Sequence, residues 1–232
     1  MIFRLIMMLG LLCTAAGAHA AERKFTIGSF AELVVDGDMI VRLENGKAPS
    51  ASAQGSREAL AALKIERQGN VVFVRTGGPQ VGRGNGGPVT VTVTGRDIRR
   101  IALTGSGKII ANSLSADNSR IELRGAGTIE VASVTAFRLA AVLSGNGSLN
   151  IAKGAVVSAD VAINGGANFL SAGLVLENLQ LVQNGPASTL LTVSNIAEIS
   201  NSGTGSITIE GDGTCFIRKG GNAAINCKKI SK

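Results

Sequence analysis

A corner glycine that recurs at a fixed interval constrains the fold of this 232-residue chain more than any other feature. The corner glycines are evenly spaced, except the last, which comes two residues early: Gly105, Gly125, Gly145, Gly165, Gly185 and Gly203. The segments around them read IALTGSGKI, IELRGAGTI, AVLSGNGSL, VAINGGANF, LVQNGPAST and ISNSGTGSI. A fixed period of about 20 residues is the signature of a solenoid, in which each repeat forms one coil.

Each copy alternates apolar and polar residues on both sides of its corner, which predicts two short strands with one buried face. Glycine suits the corner because it adopts positive φ more easily than other residues. No copy shows the spacing of three and four that an amphipathic helix requires. We therefore predict an all-β fold, a right-handed parallel β-helix of six coils with about 20 residues per coil.

Stacking the copies predicts three apolar columns inside the rod. The columns contain, in turn, Leu103, Leu123, Leu143 and Ile163; Ile109, Ile129, Leu149, Phe169 and Ile207; and Leu114, Val134 and Leu174. A polar column precedes the glycines and is expected to bond the backbone of the turns: Thr104, Ser144, Asn164 and Asn184.

The stretch TGSGKII at Thr104–Ile110 raises an alternative, because it resembles the end of a phosphate-binding loop. That loop needs Gly-x-x-x-x-Gly-Lys followed by Ser or Thr. Ala102 takes the place of the first glycine, and Ile109 takes the place of the hydroxyl residue. The recurrence of the stretch favours a solenoid corner over a nucleotide site.

The ends of the chain differ from the repeats. Residues 21–76 contain several apolar runs and predict an N-terminal β segment that extends or caps the solenoid. Residues 77–88 are rich in glycine and proline and predict a loop. The β-helix repeats are assigned to residues 89–214, and residues 215–232 to a C-terminal end clasped by a disulfide.

Residues 1–20 predict a secretory signal peptide, with Arg4 before an apolar run and Ala18-His19-Ala20 as the cleavage site. The apolar run is too short for a membrane anchor. Cleavage would remove His19, the sole histidine of a chain that also lacks Trp and Tyr. Catalysis by histidine and metal binding by histidine are thereby excluded. We predict export to the periplasm, the cell surface or the medium, with no transmembrane segment after cleavage.

Cleavage also leaves two cysteines, Cys215 and Cys227, and we predict that they form a disulfide. Two thiols are too few for a metal site, and their spacing is not that of a redox pair. The mature chain would carry 22 basic and 16 acidic residues. Because these charges are scattered, the mild basic excess favours a solvated surface over a dedicated polyanion site.

A polar patch is the one candidate for chemistry. Asp97 and Asp117 are separated by one repeat length and could stack on adjacent coils, near Arg99, Arg100 and Arg120. Clustered carboxylates serve polysaccharide-active enzymes, some of which are β-helices, so a polyuronide lyase or hydrolase is the alternative function. A solvated charged edge is the reading we favour for the patch.

Two further readings of charged residues are weaker. Asp36 and Asp38 could bind calcium, but a turn is favoured because two carboxylates are too few. Arg96, Arg99 and Arg100 lack the interleaved aromatic residues of a nucleic-acid interface, so no specific nucleic-acid partner is predicted.

Three ordered motifs resemble a known family. They are Phe25-Thr26-Ile27, the segment VDGDMIVRL at Val35–Leu43, and VTVTV at Val89–Val93, all before the glycine coils. This order resembles the auto-transporter adhesin head GIN domain family (DUF2807) over about residues 25–210. The resemblance implies a parallel β-helix and adhesion, and it brings no catalytic residues. The chain departs from the pattern at Pro186, which interrupts Gly-x-Gly, and at Gln183, which breaks an apolar column.

Together these observations predict a noncatalytic exported envelope or surface protein, an adhesin-like binding or structural module that uses its β-helix faces. We expect no catalytic residues, no cofactor and no metal. The partner is expected in the envelope, at the surface or among glycans. The sequence does not predict the oligomeric state.

Overall fold

The computed structural model describes residues 21–77, 88–219 and 221–231. The predicted signal peptide and almost all of the predicted loop at 77–88 lie outside these residues. The described chain forms one sheet of 17 strands, coiled into a β-solenoid of about 6 turns with roughly 20 residues per coil. The predicted fold class is confirmed.

The strands and the single described helix follow one another along the chain as β1 (Ala21–Phe25), β2 (Glu32–Asp36), β3 (Ile40–Asn45), β4 (Ser50–Gly55), α1 (Arg57–Ala62), β5 (Leu63–Gln68), β6 (Val71–Thr76), β7 (Thr90–Gly95), β8 (Arg100–Gly105), β9 (Lys108–Ala111), β10 (Leu114–Ser115), β11 (Asn118–Gly125), β12 (Thr128–Gly145), β13 (Ser148–Gly165), β14 (Asn168–Asn184), β15 (Ser188–Asn201), β16 (Ser206–Lys219) and β17 (Ala224–Ser231).

The regular coils stack in parallel, and each residue pairs with the residue one repeat later. Ile101 pairs with Ile121, which pairs with Ala141, and the same step continues through β13 and β14. The next step is shorter, because Leu181 pairs with Ile199. Two register shifts between β14 and β15 absorb the two missing residues.

The predicted apolar columns fill the interior of the solenoid. Every member of the three columns is at most 1% exposed. Phe169 is the largest of these side chains and is completely buried. Burying a side chain of this kind stabilises the fold by about 1.5–3 kcal/mol, so the columns hold the stacked coils together.

The corner glycines adopt a backbone that other residues resist. The first five corner glycines have φ between 106° and 116°. A Cβ atom at Gly145 would also lie 2.4 Å from the carbonyl oxygen of Gly125, one coil away. Gly203 differs: its φ is not in the left-handed region, yet a Cβ atom there would lie 1.9 Å from the oxygen of Gly185. Glycine is therefore required at position 203 because there is no room for a Cβ atom, and not because of the backbone conformation.

The break in the apolar column at Gln183 is filled by a polar pair. The hydroxyl of Thr189 donates to Oε1 of Gln183 at 2.6 Å, and Nε2 of Gln183 donates to the carbonyl oxygen of Ala187 at 3.0 Å. Gln183 is fully buried and Thr189 is 2% exposed. Because each buried polar atom has a partner, the column continues without an unsatisfied group.

The N-terminal segment contributes coils as well as a cap. Strand β2 runs parallel to β6 on one side and to β8 on the other, and β3 lies in the same way between β7 and β9. Residues 32–45 therefore form the second coil, although they come first in the chain. The coil of β6 and β7 lies outside it.

Antiparallel strands close this end of the rod. β5 pairs with β6, β4 pairs with β7, and β1 pairs with β4. The sequence predicted strands alone here, but Arg57–Ala62 is helical. The Ser56 side chain caps this helix by accepting a hydrogen bond from the amide of Ala59, and Leu60 packs into the core.

The opposite end is held by a covalent bond. β17 runs parallel to β16, and the predicted disulfide joins Cys215 on β16 to Cys227 on β17, with 6.5 Å between the Cα atoms. Cys215 is fully buried. β16 continues through residue 215, so the predicted boundary between residues 214 and 215 falls inside a strand. The disulfide links the last two layers of the solenoid.

Candidate functional site

One flat side of the solenoid, which we call the arginine face, carries outward side chains from the second coil onward. Along it, Glu32 pairs with Arg100 and Arg100 pairs with Arg120. The neighbouring column contains Val34, Ala102 and Glu122. The third column contains Asp36, Thr104 and Arg124. Stacking thus places charged residues from distant parts of the sequence side by side.

Glu122 is the centre of this charged group. Its Oε1 lies 2.6 Å from Nε of Arg120 and 3.0 Å from Nε of Arg100. Its Oε2 lies 3.4 Å from Nη2 of Arg124. The side chain is only 6% exposed although it points outward from the sheet. Three arginine side chains therefore cover a carboxylate that the strand alone would leave in water.

Arg100 connects Glu122 to a second carboxylate. Its Nη1 lies 3.0 Å from Oε2 of Glu32, and Nη2 of Arg99 lies 3.6 Å from Oε1 of the same carboxylate. We call these six residues the arginine–glutamate cluster: Glu32, Arg99, Arg100, Arg120, Glu122 and Arg124. The cluster sets four guanidinium groups against two carboxylates and is locally basic.

The cluster changes the titration of its central members. Burial alone would raise the pKa of Glu122, but hydrogen bonds from Arg120 and Arg100 outweigh it and hold that pKa below the ordinary value of 4.5. Burial would lower the pKa of Arg100, and hydrogen bonds to Glu122 and Glu32 raise it instead. Both groups are therefore charged throughout the physiological range.

We expect acid to weaken the fold through Glu122. Because its pKa is lower in the folded chain than in the unfolded chain, its ion pairs stabilise fully above about pH 4.5. That contribution is lost as the pH falls through the lowered pKa. Glu122→Gln should reduce the free energy of unfolding by about 1–3 kcal/mol at neutral pH. Urea unfolding at about pH 7 and about pH 3 measures the effect. The free energy of unfolding of Glu122→Gln should change less between these two pH values than that of the wild type.

Glu130→Gln is the matched control for this prediction. Glu130 is 44% exposed and pairs with Lys108 at 2.8 Å, so its loss should cost less than about 1 kcal/mol. An unchanged pH dependence in Glu122→Gln would contradict the role assigned to this carboxylate.

The predicted polar patch is brought together only in part. Arg99, Arg100 and Arg120 do lie together, but their carboxylate partners are Glu32 and Glu122. Among the described residues, neither Asp97 nor Asp117 forms an ion pair with these arginines. The predicted patch therefore contributes its arginines, and not its aspartates, to these ion pairs.

The topology explains this difference. The chain between β7 and β8 crosses from the outermost coil to the third coil, so a separation of one repeat length does not imply stacking at Asp97. Asp97 adopts a φ of 55° in this crossing and lines an open pocket with Arg96 and Asn70. Asp117 lies just before β11, where its carbonyl oxygen accepts a hydrogen bond from the amide of Arg138.

Sequence reasoning missed Glu32, Glu122 and Arg124. A signal for two of them was present: Arg120, Glu122 and Arg124 alternate in SRIELRG and must share one side of a strand. Glu32 gave no such signal, because its place beside Arg100 depends on the insertion of the second coil.

The arginine face continues beyond the cluster as three parallel columns, of which the column of Arg120 runs on through Ala140, Asp160 and Gln180. The central column is apolar and shallow, with Val142, Ala162 and Val182 in register. The third column is a ladder of hydroxyl and amide groups, which we call the amide ladder: Ser144, Asn164, Asn184 and Ser202.

The amide ladder bonds along the rod. Nδ2 of Asn184 donates to Oδ1 of Asn164 at 3.0 Å, and the Ser202 hydroxyl bonds Oδ1 of Asn184. The prediction that these side chains bond the turn backbone is therefore wrong for the two asparagines, which bond polar side chains on neighbouring coils.

The comparisons with known proteins agree with this fold. Residues 29–213 match the family model described as putative auto-transporter adhesin, head GIN domain (DUF2807), and the chain belongs to this family. The resemblance drawn from the sequence is confirmed. No curated protein matches the chain significantly.

Several solved structures have the same fold. A putative adhesin from Bacteroides fragilis superposes with a TM-score of 0.83 and 19% identity, covering 92% of this chain and 98% of that one. A putative adhesin from Parabacteroides merdae (TM-score 0.71, 17% identity) covers 93% of this chain and 98% of its own. A putative lipid binding protein from Parabacteroides distasonis (0.71, 16%) gives the same two coverages.

The family and the disulfide both suggest an exported or surface protein. Within residues 21–77, 88–219 and 221–231, no helix is long and apolar enough to cross a membrane. The same residues contain no group of three His, Cys, Asp or Glu side chains placed to hold a metal ion.

Proposed function

We propose that this chain is an exported, noncatalytic adhesin-like module that binds an envelope, surface or glycan partner through the flat sides of its solenoid. The arginine–glutamate cluster carries this proposal, because it presents ordered guanidinium groups on an exposed flat face. The match to an adhesin family and the structural similarity to two putative adhesins support it.

The arrangement of the cluster does not favour the polysaccharide-active enzyme. A glycoside hydrolase needs one carboxyl group that can donate a proton, and therefore a raised pKa. The pKa of Glu122 is instead lowered, and both carboxylates of the cluster are engaged by arginines. Fixed carboxylates of this kind position guanidinium groups for binding.

Protease accessibility of the tagged chain on intact and on permeabilised cells tests the proposal. Digestion on intact cells, with a periplasmic marker protected, is the expected result for an adhesin. Protection until the envelope is opened would overturn adhesion to an outside partner, and the binding partner would then have to be sought within the envelope.

A further inference from the structure

We propose that the arginine face binds a linear anionic polysaccharide that lies along the rod axis. Its carboxylate or sulfate groups would meet Arg120 and Arg124, and its sugar rings would lie over Val142, Ala162 and Val182 beside the amide ladder. This inference rests on the proposed function and names the ligand class of that face.

The cationic end of the face is preorganised. Arg120 is 51% exposed and Arg124 is 66% exposed, yet both are oriented by the covered carboxylate of Glu122. Arg120 contacts Glu122 through Nε, and Arg124 does so through one terminal nitrogen. Since a guanidinium carries five N–H donors, each arginine keeps donors for an external anion. Arginine is well suited to such groups because it can bond two oxygens of one carboxylate or sulfate.

The remainder of the face suits sugar rings. The columns run along the rod with a step of about 4.8 Å per coil, so a linear polymer meets the same kind of surface repeatedly. Small apolar side chains form the shallow central strip and can accept the C–H faces of pyranose rings. The hydrogen bond between Asn184 and Asn164 orders the ladder beside that strip. Amides and hydroxyls can both donate and accept, as sugar hydroxyls require.

Acidic residues on both sides of the arginines favour a polysaccharide over a lipid surface as the ligand. Asp36 lies in the column of Arg124, two coils to one side, and Asp160 lies in the column of Arg120, two coils to the other. A flat anionic bilayer that contacted the arginines would also contact these carboxylates, and the like charges would repel each other. A polymer with spaced charges can place an anionic group on the arginine pair and neutral rings further along.

The binding test uses the mature full-length chain and four probes: sparsely carboxymethylated dextran, sparsely sulfated dextran, uncharged dextran, and vesicles of equal parts phosphatidylglycerol and phosphatidylcholine. We expect the wild type to bind at least one of the two anionic polysaccharides, and to bind neither uncharged dextran nor vesicles. Comparing the carboxymethylated dextran with the sulfated dextran distinguishes carboxylate from sulfate recognition on the same sugar backbone. The affinity should fall as salt rises, since exposed charges are screened.

The variant Arg120→Ala with Arg124→Ala should weaken polysaccharide binding by about tenfold or more. Arg42→Ala with Lys153→Ala is the matched control, because it removes the same charge from exposed residues on strand segments outside the arginine face. Binding by the control should stay within about twofold of the wild type. Arg120→Lys with Arg124→Lys keeps the charge and should still bind less well than the wild type, since the forked geometry is lost.

Asn164→Ala with Asn184→Ala tests the ladder separately and should weaken polysaccharide binding while leaving the salt dependence unchanged. Equal losses in the arginine variant and the control would overturn the proposal in favour of nonspecific charge attraction. Binding to vesicles alone would overturn it in favour of a lipid surface. If the chain is displayed at the cell surface but binds neither anionic polysaccharide, this inference is refuted and the proposed function still holds.

Discussion

Gly145→Ala is expected to destabilise the solenoid by about 2–6 kcal/mol. The alanine would have to hold a φ near 109°, which costs about 1–3 kcal/mol for a residue with a side chain. Its Cβ atom would also lie 2.4 Å from the carbonyl oxygen of Gly125, and the separation needed to relieve that contact costs about 1–3 kcal/mol more. Urea unfolding followed by circular dichroism measures the loss.

Gly46→Ala separates the two causes. Gly46 also has a positive φ, 94°, but a Cβ atom there meets nothing within 4 Å. This variant should lose the cost of the backbone conformation alone. Equal losses at the two positions would show that contact between coils contributes nothing at the corner.

Phe169→Ala is expected to cost about 3–5 kcal/mol, because it removes the largest fully buried side chain and leaves a cavity between stacked coils. Its neighbours in the column are Leu149 on one coil and Thr189 on the next. In a solenoid each coil is held mainly by the coils beside it. Hydrogen exchange should therefore show the greatest loss of protection in β13, β14 and β15.

Leu170→Ala, one residue further along the same strand, is the control. Leu170 points outward and is 44% exposed, so its truncation should change the free energy of unfolding by less than about 0.5 kcal/mol. A similar loss at both residues would contradict the assignment of opposite faces.

The regular part of the fold could be predicted from the sequence because the repeat length is constant there. From Ile101 to Asn184, a residue and its counterpart one repeat later are neighbours, so the glycines, the apolar columns and the outward residues can all be placed by counting. Alternation then separates Leu123 in the core from Glu122 outside. The disulfide could also be predicted, since two cysteines close together near the end of a chain predicted to be exported have few other uses.

The order of the coils in the N-terminal third could not be predicted in the same way. Its coil of β2 and β3 inserts between two coils that come later in the chain, and no local pattern encodes this order. The same insertion determines which residues form the arginine–glutamate cluster. Arg100 could be placed beside Arg120 by counting, but Glu32 could not be placed beside Arg100.

The insertion of the second coil also affects how the protein acquires its fold. A polypeptide emerges from its N-terminus, so β2 and β3 are available first, but both of their neighbours come later. The coils from β11 to β14 need only wait for the coil that precedes each of them in the chain, and such local closures are fast. We therefore expect the middle of the rod to fold before its N-terminal end. Until that end folds, β2 and β3 would remain exposed to proteases and to other chains.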